Sequence, residues 1–254
     1  MDIKTNKFGV GEIIRTGWQV YSANFTNILM VVLCVYIPIN IVLSYIYTGK
    51  SVSDGYRLHV DAALFLLIAF IALFFGLITS LATAFIVEKA IQGEKIGWKA
   101  ALRLGFSRWG SAIGTELLYG IILIGLTLLL VVPGIIWYVY YVFFIFVVAL
   151  RGIGGKSALD YSKNLVKDQW WRVAGIFLLI MIPTYLTNFI ITKAFTFLST
   201  FPIMNFIATT ISVVIVALFE VMLVIFFLNT DYLKNPAPVA AVDLVGGAVP
   251  ETQS

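Results

Sequence analysis

The apolar positions of this chain fall into two kinds of segment. Some stretches set apolar residues three or four apart among charged ones, while longer stretches are apolar on every side. The first pattern predicts a helix lying at a surface, and the second a helix surrounded by lipid or protein. Three striped segments, 8–25, 97–112 and 156–172, each run into an apolar stretch. In the first, Val10, Ile13, Ile14, Gly17, Trp18, Tyr21 and Phe25 make the stripe, with Glu12, Arg15, Thr16 and Gln19 off it. In the second, Trp98, Leu102, Phe106, Trp109 and Ile113 oppose Lys99, Arg103 and Ser107. The third sets Leu159, Leu165, Val166 and Trp170 against Lys156, Asp160, Lys163 and Lys167.

The uninterrupted apolar stretches are 28–47, 62–87, 112–150, 173–191 and 206–228. A hydrocarbon core of ~30 Å needs about 20 residues of helix. The third stretch is about twice that length, and Pro133 with Gly134 near its middle predict a hairpin turn. The expected fold is therefore all-α: a polytopic membrane protein with six transmembrane helices, in three repeats of a basic amphipathic helix plus a transmembrane hairpin. The units are 8–88, 97–151 and 156–231, within one domain 1–235 followed by a Pro-, Ala-, Gly- and Val-rich stretch, 236–254, expected to be a mobile tail. Pro38 lies thirteen residues after Phe25, and Pro183 thirteen after Trp170, so units one and three read as copies. The middle unit has its proline at the turn and is more diverged.

Composition agrees: 61% hydrophobic residues, 12% charged and a mean hydropathy of +0.99 lie far from the soluble range. The polar lead before the first apolar stretch lacks the form of a cleaved signal. Lys4, Lys7, Arg15, Lys89, Lys95, Lys99, Arg103, Arg108, Arg151, Lys156, Lys163, Lys167, Arg172 and Lys234 fall on one side of a six-span layout, and only Lys50, Arg57 and Lys193 on the other. That asymmetry predicts both termini in the cytoplasm and explains a pI near 9.1 without nucleic acid as a partner.

Candidate chemistry is sparse. Glu116 and Glu220 are the acidic residues inside expected spans, where an ionised group needs a cavity or a partner. The alternative for each is a structural hydrogen bond to a neighbouring helix. Pro38 and Pro183 remove backbone hydrogen bonds and are expected to kink their helices, with Asn40 and Asn188 as polar lining nearby. The aromatic stretch 137–146 is expected to pack and to anchor rather than to form a binding box. Cys34 and His59 are the lone residues of their kinds, so no cysteine or histidine metal cluster and no histidine-based triad can be assembled, and no cofactor is expected. Lys99, Arg103, Arg108, Lys156, Lys163 and Lys167 are candidate ligands for anionic lipid headgroups, each cation adding about 1 kcal/mol near such a surface. The alternative is that they obey the positive-inside rule and nothing more.

One resemblance emerges from Pro133-Gly134-Ile135-Ile136, an aromatic-rich span closing at Ala149-Leu150-Arg151, and then Ala158, Leu159, Ser162, Leu165, Val166, Trp170 and Val173. This pattern resembles the membrane domain fused to some bacterial glycerophosphodiester phosphodiesterases and the YciC-like inner-membrane proteins. The resemblance implies a six-span protein of the bacterial cytoplasmic membrane. It carries over no catalytic residues, because the phosphodiesterase of the fused members is a separate soluble barrel that has no counterpart here. The expected function is non-enzymatic: organising, sensing or binding membrane lipid. The alternative is a small-solute or lipid transporter subunit, with a polar path at Glu220 and the Pro38 and Pro183 kinks, whose sign would be a water-filled cavity reaching Glu220.

Overall fold

The computed structural model describes residues 3, 6–53, 62–198 and 202–235. The expected outer loop with Arg57 and His59, the tail 236–254 and Lys4 lie outside the described residues. The described residues are helical, without strands: α1 Val10–Ala23, α2 Phe25–Ser53, α3 Ala62–Ile91, α4 Trp98–Leu129, α5 Val131–Tyr140, α6 Phe144–Arg151, α7 Gly155–Val166, a 3-10 turn Lys167–Gln169, α8 Trp170–Leu198 and α9 Pro202–Lys234. Five runs are long and apolar enough to cross a membrane: Phe74–Ile91, Trp98–Leu129, Val131–Arg151, Gly155–Ile191 and Thr210–Lys234. A sixth is made if Val10–Ala23 and Phe25–Ile39, which meet at 76°, count as one broken span. Leu117, Ile121 and Ile124 on α4 and Leu179, Ile182 and Leu186 on α8 turn outward, an apolar surface that a bilayer takes up and water does not.

The bend between α1 and α2 sits at Asn24. Its N–H makes the last helical bond of α1, to the Val20 carbonyl, and its side-chain amide donates to the same carbonyl. The apolar stripe of α1 then divides. Ile13, Gly17, Val20 and Tyr21 are buried, and α1 packs chiefly on α9, where Gly17 lies against Met222. Ile14, Trp18 and Phe25 stay exposed.

Helix α4 differs from expectation, running unbroken from the basic segment through the apolar one. Its buried face is Ala101, Leu102, Gly105, Ala112 and Thr115; of the expected stripe, Leu102 is buried, Trp98 and Trp109 are half-buried and Phe106 faces outward. A methyl group on Gly105 would stand 3.3 Å from the Ala82 nitrogen and the Ile78 oxygen of α3, so the two backbones nearly touch. Phe106 is 55% exposed. Small residues let membrane helices approach closely, while lipid accepts a phenylalanine as readily as a protein core does.

The turn between α4 and α5 falls at Leu130, whose backbone is extended (φ −160°, ψ 132°), and not at Pro133–Gly134. Pro133 instead occupies the first turn of α5, where its missing N–H costs little. Gly134 is buried, and a methyl group there would stand 2.5 Å from Thr127 Oγ1, so it serves the α4–α5 crossing.

The run Val131–Arg151 is broken at 141–143. Ser162 of α7 repairs the break: its hydroxyl donates to the Tyr140 carbonyl (2.9 Å) and accepts from the Phe143 N–H (3.2 Å). Non-helical backbone at membrane depth needs such a partner. Gly152, with φ 69°, ends α6, and the Arg108 guanidinium occupies the space a side chain there would need.

Candidate binding cavity

A cavity of about 520 Å³ lies within the bundle, in the size range of small-molecule sites. Every helix except α1 and α7 gives it a wall residue: Tyr36 from α2, Thr79 and Ser80 from α3, Glu116 and Tyr119 from α4, Tyr138 from α5, Phe144 and Phe146 from α6, Thr184 from α8 and Glu220 from α9. The break at 141–143 contributes Tyr141 and Val142, so the interrupted span forms part of the wall. The structure thus brings together Glu116 and Glu220, which are 104 positions apart in the chain.

The two carboxylates stand in different surroundings. Ser80 gives Glu220 a side-chain hydrogen bond, and Tyr36 lies within its electrostatic reach. Glu116 acts on Tyr119 and Tyr138. These tyrosines belong to an aromatic cluster: Tyr119 stacks on Phe144 with ring centres 4.8 Å apart and meets Tyr141 edge-on at 6.1 Å, and Tyr138 meets Phe177 edge-on at 5.6 Å. No lysine, arginine or histidine is among the described lining residues. The expected packing stretch 137–146 therefore supplies much of the cavity wall.

The remaining expected polar and kink residues lie elsewhere. Pro38 and Pro183 are exposed on the outer faces of α2 and α8, both helices continue through them, and neither lines the cavity. Asn188 accepts a hydrogen bond from Ser212 of α9 and donates to Thr184, a structural pairing between helices. The side chain of Asn40 lies outside the described residues.

Of the basic candidates, Lys99, Arg103, Arg108, Lys156 and Lys167 are exposed, while the Lys163 ammonium sits 4.4 Å from the centre of the half-buried Trp137 ring. Lys99 lies 5.3 Å from the centre of the Trp98 ring. The apolar face of α7, Ala158, Leu159, Leu165 and Val166, is covered by protein, with α7 packed on α4, α5 and α6. Helix α1 keeps Ile14 and Trp18 exposed beside Arg15, and the basic start of α4 keeps Leu104 and Phe106 exposed beside Arg103.

A second polar cluster escaped the sequence reading. Arg151 at the end of α6 pairs with Glu88 of α3 (2.7 Å) and Asp231 of α9 (2.6 Å), and the Tyr161 hydroxyl of α7 donates to Asp231 (2.5 Å). Nearby, buried Asn229 accepts from the Phe8 N–H and donates to the carbonyls of Ile3 and Asn6, which fastens the N-terminal segment to α9. These groups close one end of the bundle. They looked like flanking charges because nothing local marks a pairing across 63 or 80 positions. Among the described residues, no group of three or more His, Cys, Asp and Glu is placed to hold a metal ion.

The chain matches no family model, no curated protein and no solved structure. The functional reading rests on geometry.

Proposed function

We propose that this chain is a non-enzymatic multi-pass protein of the bacterial cytoplasmic membrane that admits a small solute to the cavity between its helices, as a transporter or transporter subunit. One observation carries this reading: the intramembrane cavity reaches both Glu220 and Glu116. Six spans, three diverged units and cytoplasmic termini complete the proposal. Supporting the units, Phe25 and Trp170 are the first residues of α2 and α8, so each proline falls at the same helical position. Supporting the orientation is the clustering of Lys and Arg on one side of the layout. The motif resemblance to the YciC-like membrane domain fits the same layout.

The test is access of water. In a Cys34→Ser background, Gly76→Cys and Ala217→Cys face the cavity, and Leu179→Cys faces lipid. A charged, membrane-impermeant methanethiosulfonate should modify the two cavity cysteines and spare the third. Three unreactive cysteines would mean a sealed void and would end the solute reading.

A second reading, lipid organisation through cytoplasmic cations, is favoured by α1. It leaves α2 at 76° and exposes Ile14 and Trp18 beside Arg15, as a helix in the headgroup layer does. Replacing Lys156, Lys163 and Lys167 by Gln should then lower retention of anionic lipid in native mass spectrometry. Unchanged retention would sink this reading.

A further inference from the structure

We infer that the solute taken into the cavity is an organic cation, an ammonium or phosphonium centre carrying apolar groups. The assignment rests on the solute-binding reading above and names its substrate class. Three features of the wall agree on that chemistry. First, two carboxylates, Glu116 and Glu220, face the space, and the described lining residues hold no cationic side chain to neutralise them. An ionised carboxylate in a span requires a countercharge, and a bound cation supplies one. Second, the wall carries an aromatic cluster, with Tyr119, Tyr138, Tyr141 and Phe144 grouped on the side of Glu116. Ring faces attract cations, most strongly where water is excluded, and they also accept the apolar substituents that a metal ion lacks. Third, about 520 Å³ is far more than an inorganic cation needs and suits a molecule of many heavy atoms.

The same wall argues against other classes. An anionic headgroup would meet two carboxylates with no lysine or arginine at hand. A neutral apolar molecule would leave both carboxylates without a countercharge. A proton on each carboxyl is the competing way to neutralise the site, and the experiment separates the two.

The probe is radiolabelled tetraphenylphosphonium, measured by equilibrium dialysis on the full chain in nanodiscs, with tetraphenylborate as a probe of similar size and opposite charge. Glu116→Gln and Glu220→Gln remove charge at nearly constant volume. Gly76→Leu fills space instead, since a side chain at Gly76 meets no atom within 4 Å. Saturable binding of the cation alone is expected, weakened at least tenfold by either glutamine and abolished by Gly76→Leu, with melting temperatures of the variants close to wild type. Equal binding of both ions would overturn the cation assignment, as would no binding of the phosphonium or binding unchanged in the double glutamine variant. If the cavity cysteines still react in those cases, the cavity reading stands and only the substrate class falls. Unreactive cavity cysteines would overturn both.

Discussion

Arg151 holds carboxylates from two other helices while its guanidinium also lies 5.8 Å from the centre of the Phe227 ring, so three sequence-distant helix ends converge on one side chain. Removing one member of a largely buried ionic cluster leaves the others without compensation, at a cost of about 3–5 kcal/mol. Arg151→Met should therefore lower the melting temperature in detergent sharply. A triple variant that adds Glu88→Gln and Asp231→Asn should recover much of the loss, because no charge is then left alone. If Arg151→Met melts like wild type, the cluster is not a structural tie. Ser162 is a smaller case of the same logic. Its single hydroxyl serves both Tyr140 and Phe143, and Ser162→Ala should cost about 1–3 kcal/mol by leaving two buried backbone groups unpaired. A melting temperature unchanged from wild type would show that other groups satisfy the break.

At the scale of elements, the pairing of α3 with α4 joins the close approach at Gly105 to Trp109, whose ring meets Phe74 of α3 edge-on at 4.1 Å. Gly105→Leu would push its side chain into the α3 backbone and should destabilise by about 1–3 kcal/mol, the usual cost of overpacking. Gly114→Leu is the control, since a side chain there meets no atom within 4 Å. If the two variants melt alike, the close approach of α3 and α4 contributes nothing. The same contrast explains what could be read in advance. Long apolar runs and the helical stripe of 8–25 depend on local spacing, so the spans and α1 were visible along the chain. The face made of Ala101, Gly105 and Ala112 was not, because a stripe search rewards large apolar residues and passes over the small ones that let helices approach. The position of the α4–α5 turn was misread for a related reason. Proline marks either a turn or the first turn of the next helix, and the choice between them was made by packing at Gly134 against Thr127.

At the scale of the whole molecule, the cavity joins Glu116 to Glu220, and Asn229 joins the first residues to the last helix. Both are products of tertiary assembly, and only the rarity of a carboxylate within an apolar run hinted at the first. The second bears on topology. Because Ile3, Asn6 and Phe8 bond to Asn229 near the end of α9, the N-terminal segment and the end of α9 lie side by side. The proposed layout, an even number of crossings with both termini in the cytoplasm, draws on this contact and on the charge asymmetry. In a Cys34→Ser background, Lys7→Cys, Gln92→Cys and Lys156→Cys should react with an impermeant maleimide only after spheroplasts are opened. Lys193→Cys, exposed toward the far end of α8, should react in intact spheroplasts. Labelling of Lys193→Cys from the same side as Lys7→Cys would mean that α8 does not cross. Since α8 supplies Thr184 to the same cavity wall as Glu116 and Glu220, the cavity would then lie at the edge of the membrane rather than within it.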